Sequence, residues 1–381
     1  MTCFDRDNDS ARLWAQFDKG RNVLMLAPRR IGKTVLLNRL RDESEARGYR
    51  AIVLDVQGFR EEKAFFQQMC AVIQEELGIG ASLLTAFGDR LRQALKGAEA
   101  SGGDWRQMLL HTDWREFASH LLAHLNTDKE GKPWLVLLDE IPVFALALLQ
   151  SHGIERVHDF LYGLRQFRHS YPNVRWLFTG SIGLDTVARR NSIEGALNDL
   201  EAYTLKPFDE ATAIAFLDHV AIANQRSMTP EAARHIVARL GWLSPYYLEK
   251  AAEETCQGVG VGATVTPDVA DRALEALLAL DKRTYWSTWR EHLDLNFTDP
   301  EQTRLFALLA AVARDPDGCA SRDVLLGELN RVEQVTAAEL RGYLDTLEAD
   351  GFLARCDDDD PDRYRFRMRL LHDWWRRYVV S

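Results

Sequence analysis

The 381-residue chain contains little cysteine, no excess of positive charge and no long hydrophobic run. Its five cysteines (Cys3, Cys70, Cys256, Cys319 and Cys356) are scattered with no CxxC pair. That speaks against a zinc site and fits a reducing cytosol. His120 and His124 lie one helical turn apart with no third ligand nearby, and read as a helix surface. No apolar stretch approaches the roughly 20 residues that a membrane span needs. The first residues, Met1 to Trp14, are acidic and polar, which excludes a signal peptide there. The 47 Lys and Arg are outnumbered by 57 Asp and Glu, for a net charge of −10. The chain as a whole therefore has no attraction for nucleic acid or an anionic membrane. A cytoplasmic protein is expected.

Hydrophobic residues make up 46% and charged residues 27%, the composition of an ordinary globular protein with length for two or three domains. Residues 23–34 read VLMLAPRRIGKT. Val23 to Leu26 form a buried strand, which breaks into Ala27, Pro28, Arg29, Arg30, Ile31, Gly32, Lys33 and Thr34. This is a phosphate-binding loop. Its backbone N–H groups wrap a nucleotide's β-phosphate, Lys33 reaches the β- and γ-phosphates, and Thr34 offers a hydroxyl to Mg²⁺. Val35 begins a helix whose N-terminal dipole faces the anion. GKT alone is a weak signal, but the strand before it and the amphipathic helix after it supply the context the motif requires. Ala27 stands where the first glycine is usual. Pro28 fixes its own φ and biases Ala27 toward an extended conformation, so a stiff, preformed loop is expected.

A second strand, Trp134 to Leu138, is apolar throughout and suits a parallel sheet covered on both faces. Asp139 at its end is placed to hold Mg²⁺, and Glu140 to polarise the attacking water. The adjacent acidic pair favours a hydrolysing ATPase over a passive nucleotide binder. A third strand, Val174 to Phe178, ends in Thr179-Gly180-Ser181. Thr179 and Ser181 are candidates to sense the γ-phosphate or orient the water, and a plain strand-end turn is the alternative. Arg189 and Arg190 follow. One reading makes them arginines that complete a neighbouring subunit's site; the favoured one makes them a solvated pair.

With these pieces in order, the chain resembles the archaeal-type ATPase branch of the AAA+/STAND P-loop NTPases. Phe4-Asp5-Arg6-Asp7 resembles the family's opening GRE-like motif, APRRIGKT its GPRRxGKT loop, and LVLLDE and LFTGSIGL its next two motif strands. Leu205-Lys206-Pro207-Phe208 resembles the strand-to-lid junction, and Gly241 to Leu248 the lid motif built around GxP. Leu243 replaces that motif's glycine, whereas Pro245 is retained as a nucleotide-contacting position. The resemblance covers nearly the whole chain. It implies an ATP- and Mg²⁺-dependent molecular switch, usually coupled to a partner.

The expected fold class is α/β: a P-loop parallel-sheet core (residues 1–206), a helical lid (207–297) and a C-terminal winged-helix domain (298–381). Residues 51–56 add a strand to the sheet, residues 59–130 read as mostly helical, and 96–104 as a glycine-rich hinge. Thr229-Pro230 and Thr266-Pro267 each read as a capping threonine before a helix. Tyr246 and Tyr247 read as lid packing, and Tyr285 to Trp289 as a core helix face. Thr336-Ala-Ala-Glu339 is a capping box that opens the winged helix's third helix.

The charges of that domain resist DNA. The third helix carries Glu339, Asp345, Glu348 and Asp350 against Arg341, and the wing tip is Asp357 to Asp360. Phosphate contacts need cations, so an acidic helix and wing repel the backbone. Arg363, Arg365, Arg367 and Arg369 alternate with apolar residues and share one strand face. They read either as a site for nucleic acid or an acidic partner or, as favoured here, as partners of the wing's aspartates across the hairpin. The expected function is an ATP-hydrolysing switch that passes its state to a protein effector acting in trans. No effector domain fused after the winged helix is expected. A homo-oligomer is compatible with the sequence, and no membrane partner is expected. The alternative is an ATP-gated DNA-binding regulator. A scaffold that uses nucleotide for stability alone is a third reading.

Overall fold

The computed structural model describes residues 4–77, 113–127, 131–180, 193–316, 318–357 and 360–380. The chain divides into two compact units. One comprises Met1–Leu26 and Thr34–Tyr203, the other Ala27–Lys33 and Thr204–Ser381.

The first unit is an α/β sheet. Its strands are β1 (Asn22–Leu26), β2 (Arg50–Asp55), β3 (Trp134–Asp139), β4 (Val174–Gly180) and β5 (Leu200–Thr204), in the order β2-β3-β4-β1-β5. The pairs β1–β4, β4–β3 and β3–β2 are parallel, and parallel neighbours require crossover connections. The described helices around the sheet are α1 (Asp7–Asp18), α2 (Lys33–Ser44), α3 (Glu62–Glu76), α4 (Trp114–Asn126), α5 (Ile141–His152) and α6 (Ile154–Ser170). Every residue of β3 is buried, as its unbroken apolar run requires of a strand covered on both faces. Phe65, Phe66, Phe144 and Phe160 pack edge-to-face and stacked in the core beside the sheet. The sequence pattern ends the third motif strand at Phe178. In the structure β4 continues through Thr179 and Gly180, because Met25 and Leu26 of β1 pair with them.

The second unit begins with helices α7 (Glu210–Ala223), α8 (Pro230–Leu240), α9 (Pro245–Gln257), α10 (Pro267–Ala276) and α11 (Thr284–Asn296). A short parallel pair, β6 (Ser227–Met228) and β7 (Thr264–Val265), ties two of their connections. Thr229 caps α8 by accepting from the Ala232 N–H, whereas Thr266 makes no such side-chain bond to α10. Tyr247, Trp286 and Trp289 are buried together. The first two stack at 5.1 Å, and the Trp289 indole N–H donates to the Tyr247 hydroxyl at 2.6 Å.

The remainder runs α12 (Glu301–Arg314), β8 (Ala320–Ser321), α13 (Arg322–Val332), α14 (Ala337–Ala349), β9 (Leu353–Asp357), β10 (Asp360–Phe366) and α15 (Arg369–Tyr378). The three strands form an antiparallel sheet in the order β8-β10-β9. Thr336 and Glu339 form the capping box their spacing implies.

One expectation is corrected here. Cys319 and Cys356 are joined in a disulfide with Cα atoms 6.3 Å apart, although 37 residues separate them and nothing in their spacing signals a pair. The arginine strand alternates as expected, with Tyr364, Phe366 and Met368 buried. Arg363 donates to the Cys319 carbonyl at 2.7 Å and Arg367 to the Glu348 carbonyl at 3.0 Å. Asp362 pairs with Arg322. Backbone acceptors on neighbouring elements therefore help to hold these guanidinium groups, and the side chains of the wing aspartates 357–360 lie outside the described residues.

Candidate functional site

Asp139 is the last residue of β3, and its side chain is brought into hydrogen-bond contact with the ends of two other segments. Leu138 lies opposite Phe178 and Thr179 opposite Met25, so β4 carries Thr179 between the acid-bearing strand and the loop-bearing strand. The Thr179 hydroxyl donates to one Asp139 carboxylate oxygen, and the Thr34 hydroxyl donates to the other at 2.6 Å. Asp139 is 3% exposed and Thr179 fully buried, whereas Thr34 is exposed. A buried carboxylate is costly unless its charge is compensated, and here its side-chain partners are hydroxyls. A carboxylate beside a threonine hydroxyl is a hard-oxygen donor set that suits Mg²⁺.

Glu140 follows at once and caps α5. Its backbone is left-handed (φ 62°, ψ 38°), and its carbonyl accepts from the Val143 and Phe144 N–H groups. A non-glycine residue in this region is strained by about 1–3 kcal/mol, and such strain gathers at functional positions. Pro142 in the first helical turn fixes the turn's direction. Gly180, at the end of β4, lies directly against the Pro142 ring, and a Cβ there would overlap Cδ and Cγ. Gly180 and Pro142 thus set where Glu140 emerges. Sequence reasoning gave neither a role, because their contact joins the end of β4 to the first turn of α5.

The loop itself is well ordered by its own chain. The buried Lys33 ammonium donates to the Ala27 carbonyl at 2.9 Å and the Pro28 carbonyl at 3.2 Å. The loop's left-handed positions are Arg30 (φ 67°) and Gly32 (φ 96°), and a Cβ on Gly32 would meet nothing within 4 Å. Gly32 is therefore required for its φ and not for space. Ala27 is fully buried and not left-handed, so alanine in place of glycine carries no backbone penalty there. Ile31 is buried, and Val35 lies half-buried in the first turn of α2. Arg29 donates to the Thr288 carbonyl at 3.5 Å. The Arg30 guanidinium lies 4.3 Å from the Tyr246 ring centroid, and the Arg30 carbonyl accepts from the buried Ser244 hydroxyl at 2.6 Å. Pro245 opens α9 immediately after Ser244. Ser244 is another residue that the sequence pattern did not mark.

Ser181, Arg189 and Arg190 lie outside the described residues, as does the 96–104 hinge. The segment from Ile193 to Asp199 is anchored by Arg168. That fully buried guanidinium donates to both Asp199 oxygens at 2.7 Å and to the Ala196 carbonyl at 2.6 Å. Burial raises the Asp199 pKa, but the hydrogen bonds and charge of Arg168 outweigh it and hold the carboxyl below its ordinary value.

Residues 6–98 match the family described as an AAA-like domain. No curated protein sequence matches. Among solved structures, the chain is similar to the Walker-type ATPase PABY2304 of Pyrococcus abyssi, with a TM-score of 0.63 at 18% identity over 98% of this chain and 96% of that one. It is also similar to the ORC2 protein of Aeropyrum pernix, solved as ADPNP–ADP complexes, with a TM-score of 0.57 at 14% identity over 100% and 96%. Identities this low speak for the fold alone. The resemblance to archaeal-type AAA+ P-loop ATPases read from the sequence is thus borne out, by an AAA-like domain over residues 6–98 and by a fold shared with an archaeal Walker-type ATPase.

Proposed function

We propose that the protein binds ATP with Mg²⁺ and hydrolyses it as a molecular switch of the STAND kind, passing its state to a protein effector in trans. The observation that carries this reading is the Asp139 carboxylate held by the Thr34 and Thr179 hydroxyls, one residue before the left-handed Glu140. Thr34 and Asp139 would hold Mg²⁺, which supplies charge neutralisation at the phosphates. Lys33 and the loop N–H groups between Ala27 and Val35, of which Pro28 contributes none, bind the phosphate chain, with Pro245 close to the nucleotide. Glu140 accepts a proton from the attacking water, and Thr179 keeps Asp139 in orientation. Ser181 stays a candidate to sense the γ-phosphate, and Arg189 and Arg190 stay candidates to complete a neighbouring subunit's site, on the sequence alone. The division into core (1–206), lid (207–297) and winged helix (298–381) belongs to the same proposal. The helix–strand–helix–helix–strand–strand order of α12 to β10 supports the last of these.

The DNA-binding alternative is weakened by the same region. The exposed positions of α14 include Glu339 and Asp345, and Arg363 and Arg367 already donate to backbone carbonyls. A protein effector fits this region better. Calorimetric titration with ATP and Mg²⁺ tests the reading. Binding to the wild type and its loss in Lys33→Ala is expected. Equal affinity in both proteins would remove Lys33 from the site and the reading with it.

A further inference from the structure

The phosphate loop is grouped with the C-terminal half of the chain, and three consecutive loop residues each touch a different part of it. Arg30 engages α9 through Ser244 and Tyr246, and Arg29 reaches the α11 carbonyl of Thr288. Pro28 meets Gly351, in the turn that joins α14 to β9. A Cβ on Gly351 would lie 3.0 Å from Pro28 Cβ, 3.2 Å from Pro28 Cγ and 3.7 Å from the Trp289 ring. Gly351 is also left-handed, at φ 83°.

The turn around Gly351 is built rigidly. Asp350 before it is buried and hydrogen-bonded to the buried His292 of α11 at 2.9 Å. Phe352 after it is fully buried and packs edge-to-face on Trp289, also of α11, with centroids 4.9 Å apart. The Phe352 carbonyl accepts from the Arg367 N–H at 2.8 Å, which ties the turn to the chain that follows β10. Pro28, α11 and the start of β9 therefore meet in one close contact, into which a methyl group at Gly351 fits only if Pro28 gives by a few tenths of an ångström.

We propose that Gly351 is a positioning residue that keys the α14–β9 turn to the phosphate loop, so that nucleotide at the loop is reported to the C-terminal strands through Pro28. This rests on the ATP reading above. A packed contact of this kind transmits small displacements because it cannot absorb them. The region thereby coupled is β9 and β10, the strands that follow the turn, and not only the helices next to the loop.

The test combines amide hydrogen exchange with a double-mutant cycle, using the full chain and a non-hydrolysable ATP analogue with Mg²⁺. In the wild type, the analogue should change exchange across residues 350–357. Gly351→Ala should weaken analogue affinity about ten-fold through overpacking, and Pro28→Gly in the same chain should restore most of it. The left-handed φ penalises alanine in both backgrounds, so the non-additive part isolates the contact. Unchanged exchange at 350–357 on binding, or an additive cycle, overturns the proposal while leaving ATP binding intact. A wild type that binds no nucleotide removes the ATP reading itself, and the proposal with it. If Gly351→Ala fails to fold, the wild-type exchange experiment decides alone.

Discussion

Asp139 and Asp199 are both shielded acids of the sheet-bearing unit, yet their surroundings are opposite. Asp199 faces a fully buried guanidinium that donates to both its oxygens. Its charge is neutralised by the fold and serves to anchor the chain before β5. Asp139 is more deeply buried, and both its oxygens are held by hydroxyls. Hydroxyls orient a carboxylate without cancelling its charge. The first arrangement is complete in itself, whereas the second remains suited to an added cation.

Replacing each acid by its amide should separate the two roles. Asp139→Asn should lower Mg²⁺-dependent ATP turnover on the order of 10³ while leaving the melting temperature unchanged or raised, since an uncancelled buried charge is removed. A large loss of stability would instead make Asp139 structural. Asp199→Asn leaves the Arg168 cation buried without its partner and should destabilise the first unit by about 3–5 kcal/mol. The pH dependence carries a definite sign. The folded Asp199 pKa lies below its ordinary 3.8. Its stabilisation is therefore full above that value and is lost as pH falls through the lower folded pKa. Denaturant melts should show the gap between wild type and Asp199→Asn narrowing below about pH 4. A constant gap would mean that Asp199 does not titrate against Arg168.

Gly180→Ala probes how Glu140 is placed. The added methyl should push Pro142 aside, cost about 1–3 kcal/mol and reduce turnover, and a Pro142→Ala partner should recover part of both. Wild-type stability and rate in Gly180→Ala would show that the β4 end gives way freely. The smallest effect concerns Cys70 in the core of the same unit, whose thiol is pushed up to about 12 by burial. It should resist alkylation at pH 8 in the folded protein and react promptly in denaturant. Ready labelling of the folded chain would indicate that this core opens.

The features read correctly from the sequence are those written in contiguous residues. An apolar strand, the turn residues 27–34 and an amphipathic helix define the loop within one stretch. The six buried residues of β3 and the cap at Thr336 are equally local. What was missed depends on residues far apart in the chain. Ser244 meets Arg30 across 214 positions. Gly180 matters only because of Pro142, and Arg363 and Arg367 reach backbone carbonyls that no alternation of residue types announces. Cys319 and Cys356 were scattered in sequence and adjacent in space for the same reason. Thr266 shows the converse: a local capping signal was present, and the side-chain bond did not form.

The role of Glu140 is the most exposed part of this reading, since hydrolysis rather than binding depends on it. Single-turnover hydrolysis of radiolabelled ATP by the wild type and by Glu140→Gln, with Mg²⁺ and protein in excess, addresses it directly. The variant should retain ATP on the protein and cleave it slower by at least about 10². Cleavage at the wild-type rate in Glu140→Gln would contradict the assignment of Glu140 as the base.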